Sequence, residues 1–131
     1  YQQLKAGEDY ISKDGMVIKN EWLTLPVAPG ESYAYCADTV YDERISVKCK
    51  DVDLLYHEAT YLDDQSEKAA GRMHSTSKQA AAIALKANAG KLLIGHFSSR
   101  YETLDEFITE AQSVFSNTDL AIEGVTYIIH K

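Results

Sequence analysis

The sequence predicts an α/β fold, a mixed sheet with helices on one face, in a single domain over residues 1–131. Two observations carry this. The short apolar runs Leu54-Leu55-Tyr56 and Leu92-Leu93-Ile94 have the length of strands buried on both sides. Helical patterns alternate with them, and strand–helix alternation buries helix stripes against a sheet. The length suits one domain, which at this size buries roughly two-thirds of its unfolded surface. With 45% apolar and 25% charged residues, the composition argues against a disordered chain.

Tyr1 to Gly30 is polar and turn-rich, punctuated by Gly7, Asp14-Gly15, Pro26 and Pro29-Gly30. Asp14-Gly15 before Met16-Val17-Ile18 predicts a short hairpin or edge strand. Ser32 to Ala37 is β-rich and ends at Asp38-Thr39. Glu43 to Lys50 alternates like a strand, but a short helix fits better between two strands, because Asp53-Leu54-Leu55-Tyr56 then reads as the next parallel strand. Leu62 to Arg72 is charged and reads as a mobile loop with some helical turn. Ser77 to Ala89 is a helix, with Ser75 or Thr76 as N-cap and Gly90 as the stop. Lys91 to Gly95 is an apolar strand delivering His96 at its tip. Leu104, Phe107, Ile108, Ala111, Val114 and Phe115 recur at helical spacing. Asp119–Ile122 and Val125–Ile129 read as closing strands around a Glu123-Gly124 hairpin turn.

The net charge of −7, from 13 basic and 20 acidic residues, argues against a surface that grips nucleic acid through its phosphates. No apolar run approaches the roughly 20 residues needed to cross a bilayer, and the start carries no signal-peptide pattern, so no membrane partner is expected. Two cysteines, Cys36 and Cys49, fit a reducing compartment better than a disulfide-stapled secreted domain, which points to the cytoplasm. The sequence begins at Tyr1 rather than Met, which fits a piece of a longer chain.

The chemistry concentrates in three short motifs, His57-Glu58-Ala59-Thr60, His74-Ser75-Thr76 and His96-Phe97-Ser98-Ser99-Arg100-Tyr101, together with Asp38. Asp38 and His96 each end a predicted strand, where a carboxylate and an imidazole can share a cation. Taken singly, Asp38 also reads as a turn former and His96 as a structural histidine; their pairing on neighbouring strand ends favours metal. Glu58 can accept a hydrogen bond from the His74 ring and hold its tautomer, an arrangement that suits a general acid. The bland reading, a surface Glu beside a helix-capping His, stays open from these residues alone. His57 reads as structural and His130 as a surface tail. A catalytic zinc takes three protein ligands and a water, whereas Asp38 and His96 supply two. No His-x-His or Cys-x-x-Cys spacing adds another, so the isolated chain should hold zinc weakly.

Asp38-Thr39, His57-Glu58-Ala59-Thr60, His74-Ser75-Thr76 with Gln79-Ala80-Ala81, and Leu93-Ile94-Gly95-His96-Phe97-Ser98-Ser99-Arg100-Tyr101 resemble the C-terminal half of ribonuclease Z. This is the metallo-β-lactamase-fold endoribonuclease that trims precursor tRNA 3′ ends. The likeness runs from about Leu4 to Tyr101, and four motifs in order make it specific. It implies the second half of a four-layer αβ/βα sandwich, with Asp38 bridging two zinc ions and His96 a ligand of one. It further implies Glu58 and His74 as the dyad that protonates the departing ribose oxygen, with Thr39 and Ser75-Thr76 supporting the site. The family's His-x-His-x-Asp-His motif and tRNA-binding arm would lie in an absent N-terminal half. Val40 stands where the family often has Arg.

The resemblance thus implies a zinc-dependent phosphodiesterase acting on precursor tRNA as a homodimer, with this portion inactive on its own. Two alternatives remain at this stage. One is a hydrolase of the same fold acting on small phosphodiesters or sulfate esters. The other is a non-catalytic half-domain that pairs through its bare sheet face.

Overall fold

Gly15 adopts φ +79°, a left-handed backbone that a side chain disfavours, and turns the hairpin predicted at Asp14-Gly15. The computed structural model describes residues 2–26 and 30–129; the turn expected at Pro29 and the tail expected at His130 lie outside them. The chain divides into two compact units, Tyr1–Gly30 and Glu31–Lys131. In the first, α1 (Gln2–Lys5) precedes β1 (Tyr10–Ile11) and β2 (Val17–Ile18), an antiparallel ribbon, and α2 (Asn20–Leu23) follows. The Asn20 side-chain amide donates to the carbonyls of Leu4 (2.8 Å) and Glu8 (3.0 Å), while Asp9 accepts the Asn20 backbone N–H. Polar contacts of this kind order a segment in which no helix buries a residue.

The second unit runs β3 (Tyr33–Cys36), α3 (Arg44–Lys48), β4 (Leu54–Glu58), α4 (Ser66–Gly71), α5 (Ser77–Ala87), β5 (Lys91–Gly95), α6 (Asp105–Val114) and β6 (Thr118–Leu120). Its sheet has the order β3-β4-β5-β6 and is parallel throughout. The antiparallel pairing expected of a mixed sheet is instead confined to the separate ribbon. Because the strands are parallel and sequential, their C-terminal ends share one edge. The register pairs Cys36 with His57 and Glu58 with Gly95, so Asp38, Glu58 and His96 all emerge at that edge.

Alternation along the strands sends Leu55, Leu92 and Ile94 to the helix side. There they meet Ala80, Ala81, Ile83, Ala84 and Ala87 of α5, whose small side chains let the helix lie close, and Phe107 and Ala111 of α6. Phe97 and Tyr101 pack edge-on against Phe107, both with ring centroids 4.8 Å away. Thr76 starts α5 with a capping box: its hydroxyl accepts the Gln79 N–H and the Gln79 side chain accepts the Thr76 N–H. Asn88, not Gly90, takes the left-handed C-cap, at φ 52°. Gly90 is required for another reason, since a Cβ there would lie 2.6 Å from the Asp53 carbonyl oxygen.

Two further expectations change. Residues 62–72 are mostly helical, with a 3₁₀ turn at Asp63–Gln65 leading into α4. Its charged residues sit on a helix exterior over the buried Ala69, which a charge count reads as loop. Val125–Ile129 is not a strand. The Tyr127 hydroxyl donates to the Leu120 carbonyl (2.6 Å) and accepts the Ile122 N–H (2.9 Å), taking backbone partners that a ladder would have used. Gly124, at φ +78°, still forms the predicted turn. On the sheet face away from the helices, Tyr35 stacks on Tyr56 at 4.6 Å, and Tyr33 and Tyr35 remain more than half exposed. Cys36 and Cys49 are free thiols with sulfurs 4.0 Å apart. No helix among the described residues is long and apolar enough to cross a membrane.

Candidate metal centre

Asp38 leaves β3 and His96 leaves β5, which are not neighbouring strands as expected but flank β4, and both residues lie in the left-handed backbone region, at φ 46° and 62°. Side chains other than glycine avoid that region, and strain of this kind gathers where function requires a particular geometry. Met73, immediately before His74, is also left-handed at φ 61°. The bends bring Asp38, His74 and His96 together, with one ligand atom from each lying within 4.8 Å of the others. His96 Nε2 is 3.1 Å from Asp38 Oδ1, and the two imidazole rings are 5.3 Å apart. Asp38 and His96 remain open to solvent, whereas His74 is mostly covered.

Beneath this cluster lies Glu58, fully buried at the end of β4. Its Oε1 accepts the Thr39 N–H (3.1 Å) and the His74 Nδ1–H (2.9 Å). Its Oε2 accepts the Thr60 N–H (3.0 Å) and the Thr60 hydroxyl (2.7 Å). Four donors satisfy a carboxylate that burial alone would make costly to ionise. Each contact leads to the cluster. Thr39 adjoins Asp38, His74 is a member, and the Thr60 oxygen is 2.9 Å from His96 Nδ1. Ser75 ties the same layer together by donating to the Thr39 carbonyl at 2.7 Å.

The donor set fits a zinc-type ion. A carboxylate oxygen and imidazole nitrogens are its usual ligands, and both histidines present Nδ1 to the protein, leaving Nε2 for the cluster. The sequence counted two ligands for a cation; the structure adds His74 as a third neighbour, which the intended acid role had set aside. The predicted Glu58–His74 contact is present. Thr60 is the site residue the sequence missed, and its position two residues after Glu58 at a strand's end was the available signal.

His57 stays apart from the cluster, as its structural reading required. It is wholly buried, its Nδ1–H donates to the Glu58 carbonyl at 2.7 Å, and Nε2 has no hydrogen-bond partner. Burial holds its pKa below the ordinary imidazole value. Burial, with Cys49 beside it, pushes the Cys36 thiol up to about 12. Tyr56, next to Gly95 and under the stacked Tyr35, is likewise raised to about 12, chiefly by burial. A cleft of about 480 Å³ opens beside His96, between Tyr56, Phe97, Leu104 and Ile122.

Residues 8–97 match the beta-lactamase superfamily domain. The chain is 46% identical to a ribonuclease Z of Cytophaga hutchinsonii over 129 residues, 97% of this chain and 41% of that protein. It therefore spans about two-fifths of that relative's length. Among solved structures it resembles the metallo-beta-lactamase fold protein YhfI of Bacillus subtilis, with TM-score 0.62 and 32% identity over 66% of this chain and 35% of that one. It also resembles the short form of human tRNase Z, with TM-score 0.56 and 28% identity over 88% of this chain and 37% of that one. The resemblance to ribonuclease Z and the metallo-β-lactamase fold inferred from the motifs both stand on these matches, and the chain belongs to the beta-lactamase superfamily.

Proposed function

We propose that this chain is the C-terminal portion of a zinc-dependent endoribonuclease of the ribonuclease Z type, which removes 3′ trailers from precursor tRNA in the cytoplasm. The observation that carries the reading is the convergence of Asp38, His74 and His96 over the buried carboxylate of Glu58. Relatives named ribonuclease Z, matched over nearly the whole of this chain, support the ribonuclease reading, and the likeness to human tRNase Z supports a tRNA substrate.

In this reading Asp38 and His96 would hold zinc, which would supply Lewis-acid chemistry to the phosphodiester in the intact site. Glu58 fixes the proton of His74 on Nδ1, so that Nε2 faces the scissile bond. As the acid, His74 carries a second proton on Nε2 and passes it to the departing 3′ oxygen, while the carboxylate stabilises the imidazolium before transfer. Cation binding and proton donation both use Nε2, so His74 can serve only one of them at a time. Assigning it the acid leaves two ligands here, and the remaining donors come from the N-terminal part.

That part is also the proposed partner for the open sheet face bearing Tyr33 and Tyr35, since the chain covers 41% of the relative it matches. The intact enzyme is proposed to be a homodimer. The test is zinc stoichiometry and precursor-tRNA cleavage for the chain alone and mixed with its N-terminal part. Expected is an inert chain and a mixture that binds about two zinc ions per site and cuts on the 3′ side. Tight zinc or cleavage by the chain alone would overturn the ligand assignment. Zinc uptake without tRNA cleavage would favour a small phosphodiester or sulfate ester as substrate.

A further inference from the structure

The Thr60 hydroxyl stands between two groups whose demands on it differ. Its oxygen is 2.7 Å from Glu58 Oε2 and 2.9 Å from His96 Nδ1. A hydroxyl has one proton to give and lone pairs to receive. Glu58 is buried and only accepts, so it takes the Thr60 proton. Thr60 can then meet His96 Nδ1 only as an acceptor, which requires the proton of that nitrogen to be in place.

We propose that Thr60 is a positioning residue: it relays the orientation of the Glu58 carboxylate to His96 and holds a proton on Nδ1, against the pull of Asp38 Oδ1, an acceptor 3.1 Å from Nε2 that favours a proton on the other nitrogen. One buried carboxylate thereby sets the tautomer of both histidines, His74 directly and His96 through a single hydroxyl. Ligating histidines are commonly fixed by a partner on the other ring nitrogen; here that partner is neutral, and its direction is imposed by a charge one bond further away. The function of this relay rests on the proposed metal role of His96, but the tautomer itself does not.

Thr60→Val is nearly isosteric and keeps the backbone N–H that Glu58 also accepts, so it removes the hydroxyl and its two contacts, to Glu58 and to His96. Thr60→Ser keeps the hydroxyl and removes the methyl group. The experiment is long-range ¹H–¹⁵N correlation spectroscopy of the labelled 131-residue chain without metal. It is run at pH about 8.5, where an ordinary imidazole is neutral, with His96 assigned by its loss in His96→Gln. Expected is a protonated Nδ1 in the wild type and in Thr60→Ser, and in Thr60→Val a ring protonated on Nε2 alone, where Asp38 is then the remaining acceptor. A wild-type His96 protonated on Nε2 alone, with Nδ1 bare, would overturn the relay without any variant. So would a Thr60→Val chain that keeps Nδ1–H, or a Thr60→Ser chain that loses it. If Thr60→Val does not fold, the wild-type and Thr60→Ser spectra still decide. The tautomers can come out as expected while the chain and its N-terminal part leave precursor tRNA intact. The relay then stands and the ribonuclease reading fails.

Discussion

Glu58 Oε1 lies 2.9 Å from His74 Nδ1, and the carboxylate that makes this contact is wholly excluded from solvent. The pair is therefore more than a surface ion pair. A buried acceptor with four donors is strongly coupled to its surroundings, and removing part of it leaves several groups unsatisfied at once.

Glu58→Gln places an amide N–H₂ against groups that are themselves donors. The expected cost is about 2–5 kcal/mol of stability, read as a lowered urea midpoint. In the intact enzyme, the proposed acid role of His74 predicts a fall in kcat of about 10²- to 10⁴-fold, with KM for precursor tRNA little changed. A variant with wild-type kcat would remove Glu58 from the dyad.

His57 gives the fold a pH dependence of its own. Its pKa in the fold lies below the unfolded value of 6.5, so the unfolded chain binds more protons once the pH drops past that value. Stability from this group is complete above about pH 6.5 and declines as the pH falls toward the folded pKa, by at most about 1.4 kcal/mol per pH unit. Urea unfolding between pH 5 and pH 8 should show this slope, and His57→Gln should flatten it. An unchanged slope in the variant would assign the dependence to another group.

Gly90 and Gly71 should respond oppositely to alanine. A Cβ on Gly90 would meet the Asp53 carbonyl oxygen at 2.6 Å, while one on Gly71, at the end of α4, would meet nothing within 4 Å. Gly90→Ala should destabilise by about 1–3 kcal/mol and Gly71→Ala should stabilise by about 0.4–1 kcal/mol. Thermal melts of the two variants side by side would check both signs.

Thr76→Ala removes both the cap of α5 and a hydrogen bond to Asp63, 3.0 Å away. The expected loss is about 1–2 kcal/mol. Hydrogen exchange should speed up first at Gln79, whose N–H the cap accepts. Uniform acceleration along the helix would instead mean that the cap supports the whole fold.

Much of this arrangement was legible because local patterns and tertiary demands agree. The runs Leu54-Leu55-Tyr56 and Leu92-Leu93-Ile94 are strands by composition and by burial alike, and the alanines of α5 fit both helix propensity and the close approach to the sheet. The Glu58–His74 contact could be read from a carboxylate at one strand end and a histidine opening the next long helix. What stayed hidden depends on single long-range bonds. Tyr127 turns a strand-like run into irregular chain through its hydroxyl. The role of Thr60 arises only when β4 and β5 lie in register and bring His96 over it.

The left-handed backbone at Asp38 and His96 also bears on how such a chain changes under selection. Each residue holds a conformation that glycine adopts freely and other residues resist by about 1–2 kcal/mol. Their mutual contact is solvent-exposed and returns little of that cost. A screen for heat resistance alone should therefore enrich glycine at these two positions, producing hardier proteins with an empty centre. An aspartate and a histidine at these two positions therefore cost the fold stability, and the proposed cation site is the function that would repay it.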